Sequence, residues 1–416
     1  RYWKYPEQSK HRIPFEQAQS EFSELFKDAV KLRMRSDVPL GVTLSAGVDS
    51  SAITYVMHEI DPSPHHCFTA RFLPEEGLIQ DKAIYVESDL SIDESISAKE
   101  VAAELGLKST IVDTNYRDFV SSLRKTIYHL ESGNSAPAVI PLMQLLERTK
   151  EDVTVVLEGQ GADELLGGYI VTILWASVFD QLKAGKFREA LQSLREFSKT
   201  YTISFSLLMA ARMASNRIGF LSTIQQKFMG IEQAFGPVLK KFRRIADYPE
   251  TDEILGDSVN RKLQRQHSGD LVNLLHYGDA VSMAHSLESR MPFLDFRLVE
   301  YAFKLPSEYK TRKGIGKILL REAMAGFVPD KILYNRTKLG FNTPIGQQFK
   351  KPSNGEDGPV DVLLSDRCLA RGLFEKAGLI KLIANHQSGK RDHGRLLFRI
   401  LSTELWFREF VDPPAN

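Results

Sequence analysis

A loop near the start of the chain has the residue types of a phosphate-binding site. Residues Ser45–Ser51 read SAGVDSS and lie between a predicted strand, Leu40–Ser45, and a predicted helix, Ser51–Ile60. Small side chains let the backbone close around an anion, and the N–H groups at the start of a helix point toward it. Asp49 would repel a bare phosphate, but Mg²⁺ binds carboxylates together with phosphate oxygens. The loop therefore predicts a site for a magnesium-bound polyphosphate.

The spacing within this loop separates it from two common nucleotide-binding patterns. It is neither the dinucleotide pattern GxGxxG nor the Walker pattern GxxxxGK[ST]. It resembles the SxGxDSS loop of enzymes that cleave ATP between its α- and β-phosphates. The alternative interpretation is a turn of serine and glycine residues that only caps the helix.

A second loop with carboxylates follows the last predicted strand of the first half of the chain. Residues Glu158–Tyr169 read EGQGADELLGGY, and Asp163 lies at the predicted start of a helix. In a parallel sheet this loop and Ser45–Ser51 would lie at the same edge, where open α/β sheets bind ligands. Asp49 and Asp163 would then share one Mg²⁺. The alternative is a glycine-bearing turn with acidic residues that favour the first helical turn.

Composition and charge restrict the class of protein. The chain has 416 residues, a formal net charge of +1 and 43% hydrophobic residues, which is typical of a globular protein. The balanced charge predicts neither a nucleic-acid partner nor a membrane partner, and the apolar stretch around Tyr169–Phe179 is too short to span a bilayer. Cys67 and Cys368 suit neither a disulfide framework nor a zinc site, so we expect a cytoplasmic location.

The elements that must position the two loops alternate between strand and helix. Strands are predicted at Leu40–Ser45, Cys67–Phe72, Ser109–Val112 and Val153–Leu157, and helices at Ser51–Ile60, Asp93–Leu105, Phe119–Leu130 and Ile140–Arg148. This alternation predicts the α/β fold class, with a doubly wound parallel sheet. After about Tyr169 only helical patterns remain, such as Leu271–Glu288. We therefore predict a linker and amphipathic helix at 1–35, an ATP-binding domain at 36–175, and a mainly helical portion at 176–416 that completes the active site.

Further motifs occur in a fixed order along the chain. They are Phe68–Ala70, Asp93-Glu94, Ser282–Asp295, Lys317–Arg321 and Arg336–Phe341. Together with Ser45–Ser51 and Gly159–Tyr169, they resemble the synthetase domain of the asparagine synthetase family from about Phe15 to about Phe410. The resemblance implies a PP-loop fold of the adenine nucleotide alpha-hydrolase type, with ATP and Mg²⁺ as cofactors.

The resemblance also implies roles for individual residues. The residues that would bind the ATP phosphates and the metal in the first loop are Leu44, Ser45, Gly47, Asp49, Ser50 and Ser51. Ala70 would lie against the adenine, and Gly159 would let the second loop approach the nucleotide. Asp163 would be the second contact to Mg²⁺ or pyrophosphate. Lys317 would be the catalytic lysine that stabilises the charge of the adenylation transition state.

A physical cue supports a role for Lys317 together with Arg321. The two residues are four positions apart on a predicted helix, so their cationic ends would share one face. Like charges in that arrangement destabilise a helix by roughly 0.2–0.5 kcal/mol, and an anion bound between them would make the arrangement favourable. The alternative interpretation is a solvated basic helix face.

The second loop departs from the family pattern at one position. The family has a glutamate where this chain has Gln160, and an amide can hydrogen-bond but cannot take up a proton. Loss of a positioned acid–base group costs about 10²–10⁴ in rate. Our hypothesis is that Glu158 takes over this role; the alternatives are a different substrate or an impaired enzyme.

Two further departures concern the partners and one connection. The family's glutaminase domain, with its N-terminal cysteine, is not found in the sequence, which starts at Arg1. We therefore expect free ammonia, an amine-bearing substrate or a separate glutaminase chain to supply the nitrogen. The segment between Phe72 and Asp93 is longer than usual, and its acids, Glu75, Glu76 and Glu87, have no assigned role.

The leading functional prediction is an amide ligase that activates a carboxylate as an acyl-adenylate. The simplest substrates are aspartate and ammonia, which would give asparagine. One alternative is an amide ligase acting on another small-molecule or peptide carboxylate, as in relatives that close β-lactams or macrolactams. Another is a non-catalytic nucleotide-binding subunit. A tRNA-modifying ligase is disfavoured, because the sequence shows no basic stripe.

Overall fold

The fold is described by a computed structural model of the chain. The described residues are 2–6, 13–72, 78–79, 90–91, 93–134, 136–199, 201–202, 237–238, 258–335, 345–350 and 358–412. Residues 7–12 of the predicted linker, most of the segment between Phe72 and Asp93 with its three acids, and Arg336–Phe341 lie outside them.

A five-stranded, all-parallel sheet forms the centre of the fold. The strands of the described residues are β1 (Leu40–Thr43), β2 (His66–Phe72), β3 (Leu78–Ile79), β4 (Leu90–Ser91), β5 (Lys108–Thr114), β6 (Val155–Leu157) and β7 (Glu288–Arg290). The main sheet has the order β5-β2-β1-β6-β7, and β3 pairs with β4 separately and antiparallel. Because β1 and β6 are neighbours, the loops that follow them leave the same edge side by side.

Helices occupy most of the remaining described chain. The first eight are α1 (Phe15–Arg33), α2 (Val48–Ile60), α3 (Ser95–Glu104), α4 (Phe119–Leu130), α5 (Val139–Thr149), α6 (Ala162–Leu166), α7 (Ile170–Lys183) and α8 (Phe187–Phe197). The others are α9 (Ser258–Arg265), α10 (Leu271–Met283), α11 (Phe296–Lys304), α12 (Ile318–Ala323), α13 (Asp330–Leu333), α14 (Pro359–Leu364), α15 (Asp366–Ala370), α16 (Lys376–Gln387) and α17 (Gly394–Phe410). A π-helical turn, Gln266–Asp270, joins α9 to α10, and short 3-10 turns lie at Pro292–Leu294, Ser307–Tyr309 and Ile345–Phe349.

Both faces of the sheet are covered by helices, as the side chains of β6 show. Leu157 packs into a buried cluster with side chains of α1, α2 and α3. The preceding residue, Val156, packs into a second cluster with side chains of α4, α5 and α10. Successive side chains of a strand point to opposite faces, so the two clusters form two cores on either side of the sheet. This confirms the predicted α/β class with a doubly wound parallel sheet.

A third core lies among the C-terminal helices. Apolar side chains of α4, including Phe119 and Leu123, pack against side chains of α14, α16 and α17. Helix α4 therefore contributes to two cores, because its Leu130 lies in the core that contains Val156. The C-terminal helices are attached to the sheet domain through this shared helix.

The structure corrects one part of the sequence prediction for the second half. The predicted helix Leu271–Glu288 ends at Met283, and Glu288 begins strand β7, which pairs in parallel with β6. The sheet thus takes one of its two edge strands from the portion predicted to be helical. Strand β7 has three residues, Glu288, Ser289 and Arg290, and none of them is apolar.

One helical segment of the described chain is long and apolar enough to cross a membrane by length and composition alone. It spans Ala162–Lys183, with a mean hydropathy of 1.4 in its most apolar window, and is longer than the apolar stretch noted in the sequence. Gly167 has a left-handed backbone and separates α6 from α7. Leu165 and Ile173 of this segment lie in the core with α1 and α2, which is the packing of a core helix.

Candidate active site

The loop after β1 folds around its own hydroxyl groups. The Ser45 amide donates to Ser50 Oγ at 3.2 Å, and the two serine hydroxyl oxygens are also 3.2 Å apart. Helix α2 begins at Val48, with Gly47 as its N-cap, so the first N–H groups of the helix, which have no acceptor within the helix, lie within the loop. Thr69 Oγ1 donates to the Leu44 carbonyl at 2.6 Å and ties the loop to β2. The result is a cradle of N–H and hydroxyl groups at the sheet edge.

The loop after β6 packs directly on this cradle. A Cβ atom on Gly159 would lie 3.0 Å from the Asp49 Cβ and 3.3 Å from the Ser50 amide nitrogen. Both distances are tighter than ordinary van der Waals contact, so glycine favours this close approach of the two backbones. Asp163, in the first turn of α6, is brought to the same place from the other side.

Lys317 lies between the two aspartates. Its Nζ is 2.5 Å from Asp49 Oδ2 and 2.5 Å from Asp163 Oδ1, and the side chain is 4% exposed. The two carboxylate oxygens are therefore at most about 5 Å apart. The structure thus gathers Asp49, Asp163 and Lys317, which come from three distant parts of the chain, into one charged cluster beside the phosphate cradle.

The backbone of Lys317 differs from the sequence prediction. Lys317 precedes α12 as its N-cap and has a left-handed backbone with φ 59°, whereas the prediction placed it inside the helix. Its amide donates to the Leu166 carbonyl at 3.0 Å. The predicted common helix face of Lys317 and Arg321 is therefore wrong, because only Arg321 lies on the helix.

Arg321 is buried and has hydrogen bonds to backbone carbonyls. Its Nε donates to the Gly316 carbonyl at 2.9 Å, and its Nη1 donates to the carbonyls of Leu333 and Asn335. These bonds hold the chain that carries Lys317 against the segment after α13. The predicted catalytic role of Arg321 stays a prediction, and the contacts seen are those of a residue that positions the backbone.

Glu158 and Gln160 lie where β6 ends. The Glu158 amide donates to the Arg290 carbonyl at 2.9 Å, so strand β7 holds the backbone of this residue. Burial raises the pKa of Glu158 above its usual value, and the neighbouring Ser289 opposes this only in part. A carboxyl with a raised pKa is a better proton acceptor than an ordinary surface carboxylate.

A cavity of about 500 Å³ joins these groups. The predicted site residues that line it are Leu44, Ser45, Gly47, Asp49, Ser50, Ala70, Glu158, Gly159, Gln160, Asp163, Lys317 and Arg321. Ser51 differs from them, because it is fully buried and does not line the cavity. Its side chain lies on a buried side of α2, and this position does not support its predicted role in binding ATP.

Tyr169 is a lining residue to which the sequence analysis gave no role. Its hydroxyl donates to Glu164 Oε1 at 2.9 Å, and Glu164 itself is fully buried. Burial and the neighbouring Asp163 raise the pKa of Tyr169, so the phenol keeps its proton. The signal was present in the sequence, since Tyr169 ends the Gly167-Gly168-Tyr169 run of the family motif.

The donor set of the cluster fits Mg²⁺. This ion is bound by one or two carboxylates together with substrate phosphates, and Asp49 and Asp163 offer two carboxylates next to a phosphate cradle. Within the described part of the chain there is no group of three or more histidine, cysteine or acidic side chains placed to hold a metal alone. The site therefore suits a metal that arrives with a polyphosphate.

Comparison with known proteins identifies the family. The family model described as asparagine synthase matches residues 21–408. The chain is 30% identical over 399 residues to asparagine synthetase [glutamine-hydrolyzing] 1 of Bacillus subtilis (strain 168), which covers 91% of this chain and 57% of that protein. It is 25% identical over 362 residues to amidase chry2 of Gibberella zeae, which covers 76% of this chain and 51% of that protein. The chain spans little more than half the length of these relatives. With a match over most of its length, the chain belongs to the asparagine synthase family.

Proposed function

We propose that this chain is an ATP-dependent amide ligase that works through an acyl-adenylate. The observation that carries the proposal is the Lys317 ammonium held between Asp49 and Asp163, beside a loop rich in N–H and hydroxyl groups. This arrangement combines donors for phosphate oxygens, carboxylates for a divalent cation and a cation for developing negative charge.

In the first step, a carboxylate oxygen of the substrate attacks the α-phosphorus of ATP. The bond from that phosphorus to the oxygen bridging to the β-phosphate breaks, and pyrophosphate leaves with the electron pair. Residues Ser45–Ser50 bind the phosphates, and Lys317 stabilises the charge that develops on them. Mg²⁺, when bound, neutralises the departing pyrophosphate. Asp49 and Asp163 are the residues that would hold it.

In the second step, an amine attacks the acyl carbon and AMP leaves with the electrons of its bond to that carbon. The amine nitrogen must lose a proton to become an amide. Glu158 is suited to accept it, because burial raises the pKa of this carboxyl and the residue lines the cavity. Gln160 cannot take this role, since an amide side chain does not bind a proton at neutral pH.

Aspartate and ammonia are the simplest pair of substrates and would give asparagine. The names of the bacterial relatives support this choice, and in such a pathway the ammonia comes from free solution or from a glutaminase unit. A second candidate is an amide ligase for a larger carboxylate. It is favoured by Gln160 in place of the family's glutamate and by apolar lining residues such as Leu142, Leu274 and Met291.

Pyrophosphate exchange into ATP, measured acid by acid, tests the proposal. Wild-type protein should exchange labelled pyrophosphate with its own acid only, and the identity of that acid separates the two candidates. Asp49→Asn should abolish exchange. Asp61→Asn, which changes an exposed aspartate just beyond the other end of α2, should retain it. Absence of exchange with every acid, while ATP still binds, would favour a nucleotide-binding subunit without catalysis.

A further inference from the structure

Lys317 occupies the place that a divalent cation would need. Its Nζ is within 2.5 Å of one oxygen of each aspartate, and the ammonium is almost completely buried. Two carboxylates held at most about 5 Å apart would repel strongly in a buried site, and the ammonium offsets that repulsion. Lys317 therefore acts as an internal counter-ion.

The distances leave little room for both cations. Mg²⁺ binds oxygen at about 2.0–2.1 Å, so two oxygens on one ion are at most about 4 Å apart. The Lys317 contacts already hold the oxygens of Asp49 and Asp163 to at most about 5 Å apart. An ion bound to both would take up the space now filled by the ammonium, and the two positive charges would repel each other at that range.

Only the end of the Lys317 side chain has freedom to leave. The backbone is fixed by its left-handed conformation and by the hydrogen bond to the Leu166 carbonyl. Gly168 packs against the side chain, since a Cβ there would lie 2.4 Å from Lys317 Cε and 1.6 Å from Asp163 Oδ1. Lys317 itself lines the cavity. It can therefore exchange its carboxylate partners for a group inside the cavity without any movement of the backbone.

We propose that Lys317 and a divalent cation compete for Asp49 and Asp163. Without metal, the Lys317 ammonium forms ion pairs with both carboxylates. When metal and polyphosphate take the carboxylates, the ammonium is released into the cavity, where it meets the phosphate whose charge develops during adenylation. Binding of the metal and release of the Lys317 ammonium toward the phosphate therefore occur together. The last step rests on the proposed function; the competition itself does not.

Binding of Mn²⁺ without nucleotide, measured by calorimetry and electron paramagnetic resonance, tests the competition. Lys317→Met removes the ammonium and keeps most of the side-chain length, so it should bind Mn²⁺ about tenfold or more tightly than wild type. Lys313→Met is the matched control. Lys313 is exposed on the same loop and also has a left-handed backbone, with φ 52°, so this variant should bind Mn²⁺ as wild type does.

Unchanged or weaker Mn²⁺ binding by folded Lys317→Met would overturn the proposal. That result is expected if Lys317 only stabilises the structure of the site. If the variant is unstable without metal, thermal unfolding decides instead. Mg²⁺ should then raise the Tm of Lys317→Met more than that of wild type, and an equal rise would count against competition. If wild type shows no pyrophosphate exchange but Lys317→Met still binds Mn²⁺ more tightly than wild type, the ligase proposal is wrong and the competition stands.

Discussion

Glu158 and Gln160 show how a change of one residue type alters what a site can do. The family's glutamate could exchange a proton with an amine, whereas Gln160 can only hydrogen-bond. Glu158 lies two positions earlier, just after β6, where its amide donates to the Arg290 carbonyl of the neighbouring strand β7. Because burial raises the pKa of Glu158, it is the acidic side chain at this position best suited to accept a proton.

Glu158→Gln should abolish amide formation while leaving pyrophosphate exchange intact. A base works in its deprotonated form, so the wild-type rate should fall as the pH drops through the raised pKa of Glu158, which lies above the ordinary value of 4.5. The variant should lose this limb of the pH profile and about 10²–10⁴ in kcat. Glu196→Gln is the control, since Glu196 also lines the cavity but is paired with Lys199. Equal turnover of Glu158→Gln and wild type would show that Glu158 is not the base.

The sequence predicted which residues form the charged cluster but not how they meet. Asp49 and Asp163 were assigned to one sheet edge because parallel strands end on the same side. The contact of Lys317 with both was not predictable from spacing. Lys317 lies far along the chain, on a turn with positive φ, and helical periodicity wrongly placed it inside α12.

At the scale of elements, four strands of the main sheet are predicted from the sequence, whereas its polar strand β7 and the short pair β3 and β4 are not. Strands β1, β2 and β6 have buried apolar side chains and β5 contains Ile111 and Val112, and the predicted bounds of all four are within three residues of those observed. Strand β7 is a three-residue edge strand without apolar side chains, so neither length nor pattern marks it. Its parallel pairing with β6 is a long-range contact that local sequence does not encode.

The close packing of the loops around Lys317 gives a prediction at this scale. Gly168→Ala should strongly reduce ATP binding and pyrophosphate exchange, because the new Cβ would overlap Asp163 Oδ1 and Lys317 Cε. The control is Gly269→Ala in the π-helical turn, where a Cβ would meet nothing within 4 Å. That change should leave activity unaltered. Exchange rates and Tm values of both variants provide the measurement, and full exchange by Gly168→Ala would show that the loops can separate without consequence.

At the scale of the whole molecule, the site depends on parts of the chain far apart in sequence. The phosphate cradle and Asp163 belong to the portion predicted at 36–175, whereas Lys317, Arg321 and strand β7 belong to the portion at 176–416. A boundary near 175 was drawn where the strand pattern ended. The sheet crosses that boundary through β7, so the two portions share one central sheet.

Asp295 ties the first helix to this assembly. It caps α11 by accepting a hydrogen bond from the Arg297 amide, and its Oδ2 lies 2.6 Å from Arg33 Nη1 of α1. Burial by itself would raise the pKa of Asp295. The hydrogen bonds from Arg297 and Arg33 outweigh burial and lower the pKa to about 2, from an ordinary value of 3.8. Asp295 is only 3% exposed, so these bonds are shielded from solvent.

Asp295→Asn should therefore destabilise the protein in a pH-dependent way. A carboxyl whose pKa is lower in the folded state adds stability above its unfolded pKa and loses it as the pH falls through the folded pKa. Above about pH 4, Asp295→Asn should lose roughly 1.5–3 kcal/mol of the free energy of unfolding, the range for hydrogen bonds to a charged group. The Tm difference between wild type and the variant should be largest there and should shrink toward pH 2. Asp113→Asn breaks the exposed pair with Arg71 and should change Tm little at any pH, because solvent screens that pair. A Tm difference for Asp295→Asn that stays constant between pH 6 and pH 2 would mean that Asp295 acts through the shape of its cap and not through its charge.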